Sequence, residues 1–189
     1  MRMKSLGILI VAALLPVGAV QASQVQVFND VAASSGGPNG IRGTVNCSAA
    51  CSVLTNAGGS FGFGDPGELF EFPFNGNNPS NELTWMNSVL NTSYGLGDSS
   101  KVDSTSSGVN YVTSFLYVIL KIGQSPSHTI LRNDSGGALT FSYDKASGAQ
   151  GGLSHYVQVG QIPTVPLPAG GMLLLSALGA FGLAKKRRR

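Results

Sequence analysis

The chain has 189 residues, enough for one domain with appendages and too few for two domains with separate cores. Its net charge of +3 suggests a basic protein, yet seven of the 12 basic residues lie at the two ends: Arg2, Lys4, Lys185, Lys186, Arg187, Arg188 and Arg189. Between them, five basic residues face nine acidic ones, a net of −4, which removes the only support for nucleic acid as a partner.

Residues 1–22 have the three parts of a secretory signal peptide. Arg2 and Lys4 form the positive start, and residues 6–20 form an apolar stretch interrupted by Gly7, Pro16 and Gly18. Val20 and Ala22 then place small residues at −3 and −1 of a cleavage site, so Ser23 is the expected mature N-terminus. No cysteine lies near the cut, which argues against a lipoprotein.

Residues 23–162 are rich in Gly, Ser, Asn and Thr and poor in charge, a mixture that favours turns and strands over helices. In chain order, strands are expected at 24–27, 41–47, 51–55, 69–74, 83–90 around Trp85, 111–122, 129–131, 138–143 and 153–159. A helix is conceivable only within 81–90. The run 111–122 is apolar on both faces: Val112, Leu116, Val118, Leu120 and Ile122 on one, Tyr111, Phe115, Tyr117 and Ile119 on the other. That pattern predicts a central strand of a two-layer structure. The expected fold is all-β, an antiparallel sandwich or jelly roll of about eight to ten strands.

Cys47 and Cys51 are the only cysteines, and in an exported chain a disulfide between them is the simple expectation. So small a ring contributes about 2 kcal/mol by loop closure and pins a turn rather than the fold. A redox or metal pair would need further ligands that the sequence does not offer. Hydrolase, zinc-protease and phosphate-loop motifs are absent. His128 and His155 read as isolated, with His155 on an apolar strand face and so expected to be a hydrogen-bonded structural residue. Glu68 and Glu71 resemble a glycosidase pair only in type, since on one strand their side chains would point to opposite faces. Asp65-Pro66-Gly67 and Asn75-Gly76-Asn77-Asn78 are oxygen-rich loops that suit Ca²⁺ or, equally, turn formation. The aromatics Phe61, Phe63, Phe70, Phe72, Phe74 and Trp85 suit either a sugar platform or core packing. No catalytic residue, cofactor or metal site is assigned.

After 162 the composition changes. Pro163, Pro166 and Pro168 favour an extended segment, so a helix begins no earlier than Ala169. Residues 169–184 would make a helix of ~24 Å, a marginal span of a hydrocarbon core of ~30 Å. The five terminal cations, Lys185 to Arg189, would hold the end on the cytoplasmic side.

Taken together, Val165, Pro166, Leu167, Pro168 and Ala169, the apolar run and the basic stop resemble the VPLPA-type PEP-CTERM sorting domains. The resemblance covers about the last 25 residues. It implies handling by an exosortase, a membrane cysteine peptidase that cleaves near the proline motif, after signal peptidase has removed the leader. It further implies transient residence in the inner membrane, then release to the cell surface or extracellular matrix. A second, shorter resemblance, carried by Leu120-Lys121-Ile122-Gly123 and Gly152-Leu153-Ser154-His155-Tyr156, is to extracellular β-sandwich domains found upstream of such tails. The organisation expected is a signal peptide (1–22), an extracellular β-sandwich domain (23–162) and a sorting signal with one transmembrane helix (163–189). The function expected is that of a non-enzymatic surface or matrix protein acting with exopolysaccharide. A carbohydrate-binding module is the second reading and a secreted hydrolase the third.

Overall fold

The computed structural model describes residues 22–29, 40–76, 78–103 and 106–162. Nearly all of the leader and the whole tail, 163–189, with its sorting motif, apolar run and basic stop, lie outside the described residues. Among the described residues no helix is long and apolar enough to cross a membrane.

The chain forms strands β1 (Ser23–Phe28), β2 (Ile41–Cys47), β3 (Cys51–Leu54), β4 (Phe61–Gly62) and β5 (Gly67–Glu68), then helix α1 (Pro79–Leu90). After a short 3₁₀ turn at Leu96–Asp98 come β6 (Ser99–Asp103), β7 (Tyr111–Thr113), β8 (Phe115–Ile122), β9 (His128–Asn133), β10 (Leu139–Lys145) and β11 (Leu153–Gln161). One sheet has five strands in the order β5-β1-β2-β10-β7, and the other has six in the order β4-β3-β9-β8-β11-β6. Every pairing is antiparallel except β1 with β5. The described chain is therefore all-β in its sheets, with one helix.

Alternation along the strands sorts the apolar residues into two cores. Val25, Val27, Val45, Phe141 and Tyr143 from the five-stranded sheet meet Val53, Val118, Leu120, Ile122 and Leu131 from the six-stranded sheet in one cluster. The opposite face of the six-stranded sheet carries Leu54, Ile119, Ile130, Val157 and Val159, and these pack with Leu83, Trp85 and Met86 of α1 in a second. β8 is apolar on both faces because it lies between two layers, one of sheet and one of helix.

Several expectations need correction. Residues 83–90 are helix, not strand. The helix starts where the chain supplies a cap: the Asn78 side chain accepts from the Asn81 amide at 2.8 Å, and Pro79 opens the first turn. It ends at Asn91, whose φ of 52° is left-handed. The expected long strand 111–122 is two strands, broken at Ser114 and shared between the sheets, and Val112 is 66% exposed rather than in the core. Residues 69–74 form no strand beyond a single bridge from Phe70 to His128. β6, Ser-Ser-Lys-Val-Asp, was not expected; it is a polar edge strand, with Lys101 and Asp103 in an ion pair at 3.0 Å.

Candidate functional site

α1 lies on the six-stranded sheet with Glu82 in its first turn, on the buried face it shares with Leu83 and Met86. Beneath it, the register of the sheet aligns three residues across three strands. Lys121 of β8 pairs with His128 of β9 on one side and with His155 of β11 on the other. The Lys121 ammonium turns away and donates to the Gly123 carbonyl at 3.1 Å. The two imidazoles converge on Glu82 instead: His155 Nε2 lies 2.5 Å and His128 Nε2 3.4 Å from the same oxygen, Oε1.

This cluster is closed to solvent. Glu82 is 0%, His128 1% and His155 4% exposed. Phe72 stacks on the His128 ring at 4.2 Å between centroids, and Trp85 meets it edge-on at 5.7 Å. On the far side of that ring, Ser127 Oγ lies 2.9 Å from Nδ1. The second carboxylate oxygen of Glu82, Oε2, is also buried and has no hydrogen-bond partner. Burial raises the Glu82 carboxyl, but the hydrogen bonds from His128 and His155 outweigh it and hold the group down at about 2. For His128, burial lowers the pKa, and the Glu82 carboxylate only partly offsets it. A carboxylate facing two imidazoles is a charged acceptor held by two donors, and equally a set of three ligand atoms within 4.8 Å of one another.

The reading of His128 and His155 as isolated is thereby corrected: both are hydrogen-bonded, and to one partner. In the sequence Glu82 stands as one acid among nine. The signal that points to it is the segment Asn78-Pro79-Ser80-Asn81-Glu82, a cap, a first-turn proline and a first-turn acid, followed by Leu83, Met86 and Leu90 at helical spacing.

Cys47 and Cys51 form the expected disulfide, closing the turn from β2 to β3 and so linking the two sheets. Ser23 begins β1 opposite Cys47, and its Oγ accepts from the Cys51 amide at 3.0 Å. The expected mature N-terminus is thus tied to the disulfide turn. Glu68 and Glu71 line one cleft of about 500 Å³ with Asn29, Leu69, Phe70, Ser125 and Pro126, because the strand that would have separated them ends at Glu68. Of the oxygen-rich loops, Asn78 is used as the helix cap, and the Asn75 carbonyl accepts from Asn81 Nδ2 at 3.2 Å. The aromatics divide: Phe61, Phe70, Phe72 and Trp85 pack in the helix-side core, while Phe63 and Phe74 are exposed in loops. Comparison of the chain with known protein families, with curated proteins and with solved structures finds no match in any of the three.

Proposed function

We propose that this is an exported protein, sorted by an exosortase, whose mature part is a non-enzymatic component of the cell surface or exopolysaccharide matrix. The observation that carries this reading is where the first and last described strands lie. β1 begins at Ser23, directly after the cleavage motif ending in Ala22, and β11 ends at Gln161, four residues before Val165. The two described sheets and both described cores are built from residues that lie between the two processing signals. The disulfide supports an oxidising destination. In finer terms the domain is an extracellular β-sandwich of jelly-roll type, and the tail is a single membrane-crossing helix that serves as a temporary hold.

The burial pattern weighs against the two other readings. A sugar platform needs a row of exposed aromatics on one sheet face, whereas Phe61, Phe70, Phe72 and Trp85 are occupied in packing α1. A hydrolase needs converging ionisable groups that substrate can reach: the Glu82 cluster is sealed, and in the open cleft only Glu68 and Glu71 come together, with no histidine among its described lining residues. Replacing Pro166 and Pro168 together by Ala tests the sorting step. The variant should accumulate in the inner-membrane fraction with its basic terminus intact, while the native chain does not. Normal processing and release of the variant would remove the exosortase from the account.

A further inference from the structure

We infer that Glu82, His128 and His155 form a structural site for one divalent transition-metal ion of the zinc type, seated between α1 and the six-stranded sheet. Three ligands of the right chemistry, two imidazole nitrogens and a carboxylate, arrive from three distant parts of the chain with their reactive atoms within 4.8 Å of one another. Bonds to zinc are ~2.0–2.2 Å, so ligand atoms on one tetrahedral ion sit ~3.3–3.5 Å apart, and side-chain movements of roughly 1 Å bring this set onto a single ion. The Oε2 atom, held by its own carboxylate too close to Oε1 to be a separate tetrahedral vertex, adds a second, longer contact from the same ligand. It is sealed in and lacks a hydrogen-bond partner, an arrangement costly for a carboxylate and resolved if both oxygens face a cation.

The surroundings are those of a metal-ligating histidine. His128 Nδ1 meets Ser127 Oγ, and a hydroxyl can either donate to that nitrogen or accept from it. With Nε2–H donating to Glu82, the Ser127 hydroxyl donates to Nδ1. When Nε2 ligates an ion, the ring proton sits on Nδ1 and Ser127 accepts it. A neutral imidazole therefore binds by changing tautomer, without net loss of a proton. The half-buried Lys121, in the same cross-strand row, opposes a cation, but its ammonium is engaged by the Gly123 carbonyl. Phe72 and Trp85 close the site, so the ion enters as α1 docks and contributes to folding rather than to chemistry.

The test uses the untagged full chain, unfolded with a chelator and refolded with Zn²⁺ or Co²⁺. One equivalent of metal should remain after desalting, the cobalt form should show the intense visible bands of a four-coordinate ion, and the zinc form should melt several degrees higher than the metal-free form. Glu82→Gln should weaken binding by more than about 100-fold, beyond the ~10–100-fold that an outer-shell partner costs. Lys121→Gln, which alters no ligand, should retain the ion. Should Glu82→Gln fail to fold, X-ray absorption of the native zinc form decides: two imidazoles with carboxylate oxygen support the site, and sulfur or all-oxygen ligation overturns it. Retention of less than about a tenth of an equivalent by the refolded native chain, or loss of the ion in Lys121→Gln, also overturns it.

Discussion

Glu82 carries an ionised side chain into a region with no solvent contact, and two imidazole donors compensate it. Removing Glu82 leaves two sealed imidazole N–H groups without their acceptor, and each buried donor left unsatisfied costs about 1–3 kcal/mol. Glu82→Ala in metal-free protein should therefore lower stability by about 2–6 kcal/mol, read as a fall in the urea midpoint. If His155 acts through Glu82, the double variant Glu82→Ala, His155→Phe should be less destabilised than the sum of its singles, by about 0.5–3 kcal/mol. Simple additivity would mean that the 2.5 Å contact contributes nothing. The disulfide lies at the other end of the scale. Replacing Cys47 and Cys51 together by Ser should cost at most about 2 kcal/mol and leave the fold intact, because the ring is short and both sheets have their own ladders.

α1 is the element that turns a two-sheet structure into three layers, and its stability divides between its cap and its buried face. Asn78→Ala, which leaves the Asn81 amide without its acceptor, should cost about 1 kcal/mol by thermal or urea melting. Met86→Ala, at a side chain with no exposed surface, should cost about 2–5 kcal/mol, whereas Ser88→Ala on the exposed face should stay within about 0.5 kcal/mol of the parent. Equal effects at 86 and 88 would mean that the helix does not dock. The strands with clear alternation were legible from sequence: β2 spans the expected 41–47, and β3, β9, β10 and β11 lie within two residues of expectation at each end. Alternation failed where a second signal competed. The apolar residues of 83–90 suit a strand as well as a helix, and Asn78-Pro79 upstream is what decides between them. Ser114 breaks an apolar run that shows no turn residue, because the chain passes from one sheet to the other there. β6 has too few apolar residues to announce itself, since an edge strand buries little. The Glu82 cluster was not legible as a cluster, because Glu82, His128 and His155 meet only through the register of β9, β8 and β11 and the docking of a helix.

At the scale of the molecule, the described residues form an acidic, disulfide-closed unit of eleven strands and one helix between two basic ends of the sequence. Among the described residues its apolar clusters draw on positions from Val25 to Val159. Residues 23–162 produced in an oxidising compartment should therefore be soluble, melt cooperatively, show a β-type circular dichroism spectrum with a minor helical component, and focus below neutral pH. An insoluble or mainly helical product would place the boundary elsewhere. The central claim, that this folded unit is released from both flanking signals, is tested most directly by the intact mass of the protein recovered from the cell envelope or medium. The mass should correspond to a chain beginning at Ser23 and ending near the motif of Val165, Pro166, Leu167, Pro168 and Ala169. A mass that retains Lys185 to Arg189, or one that retains residues 1–22, would contradict it.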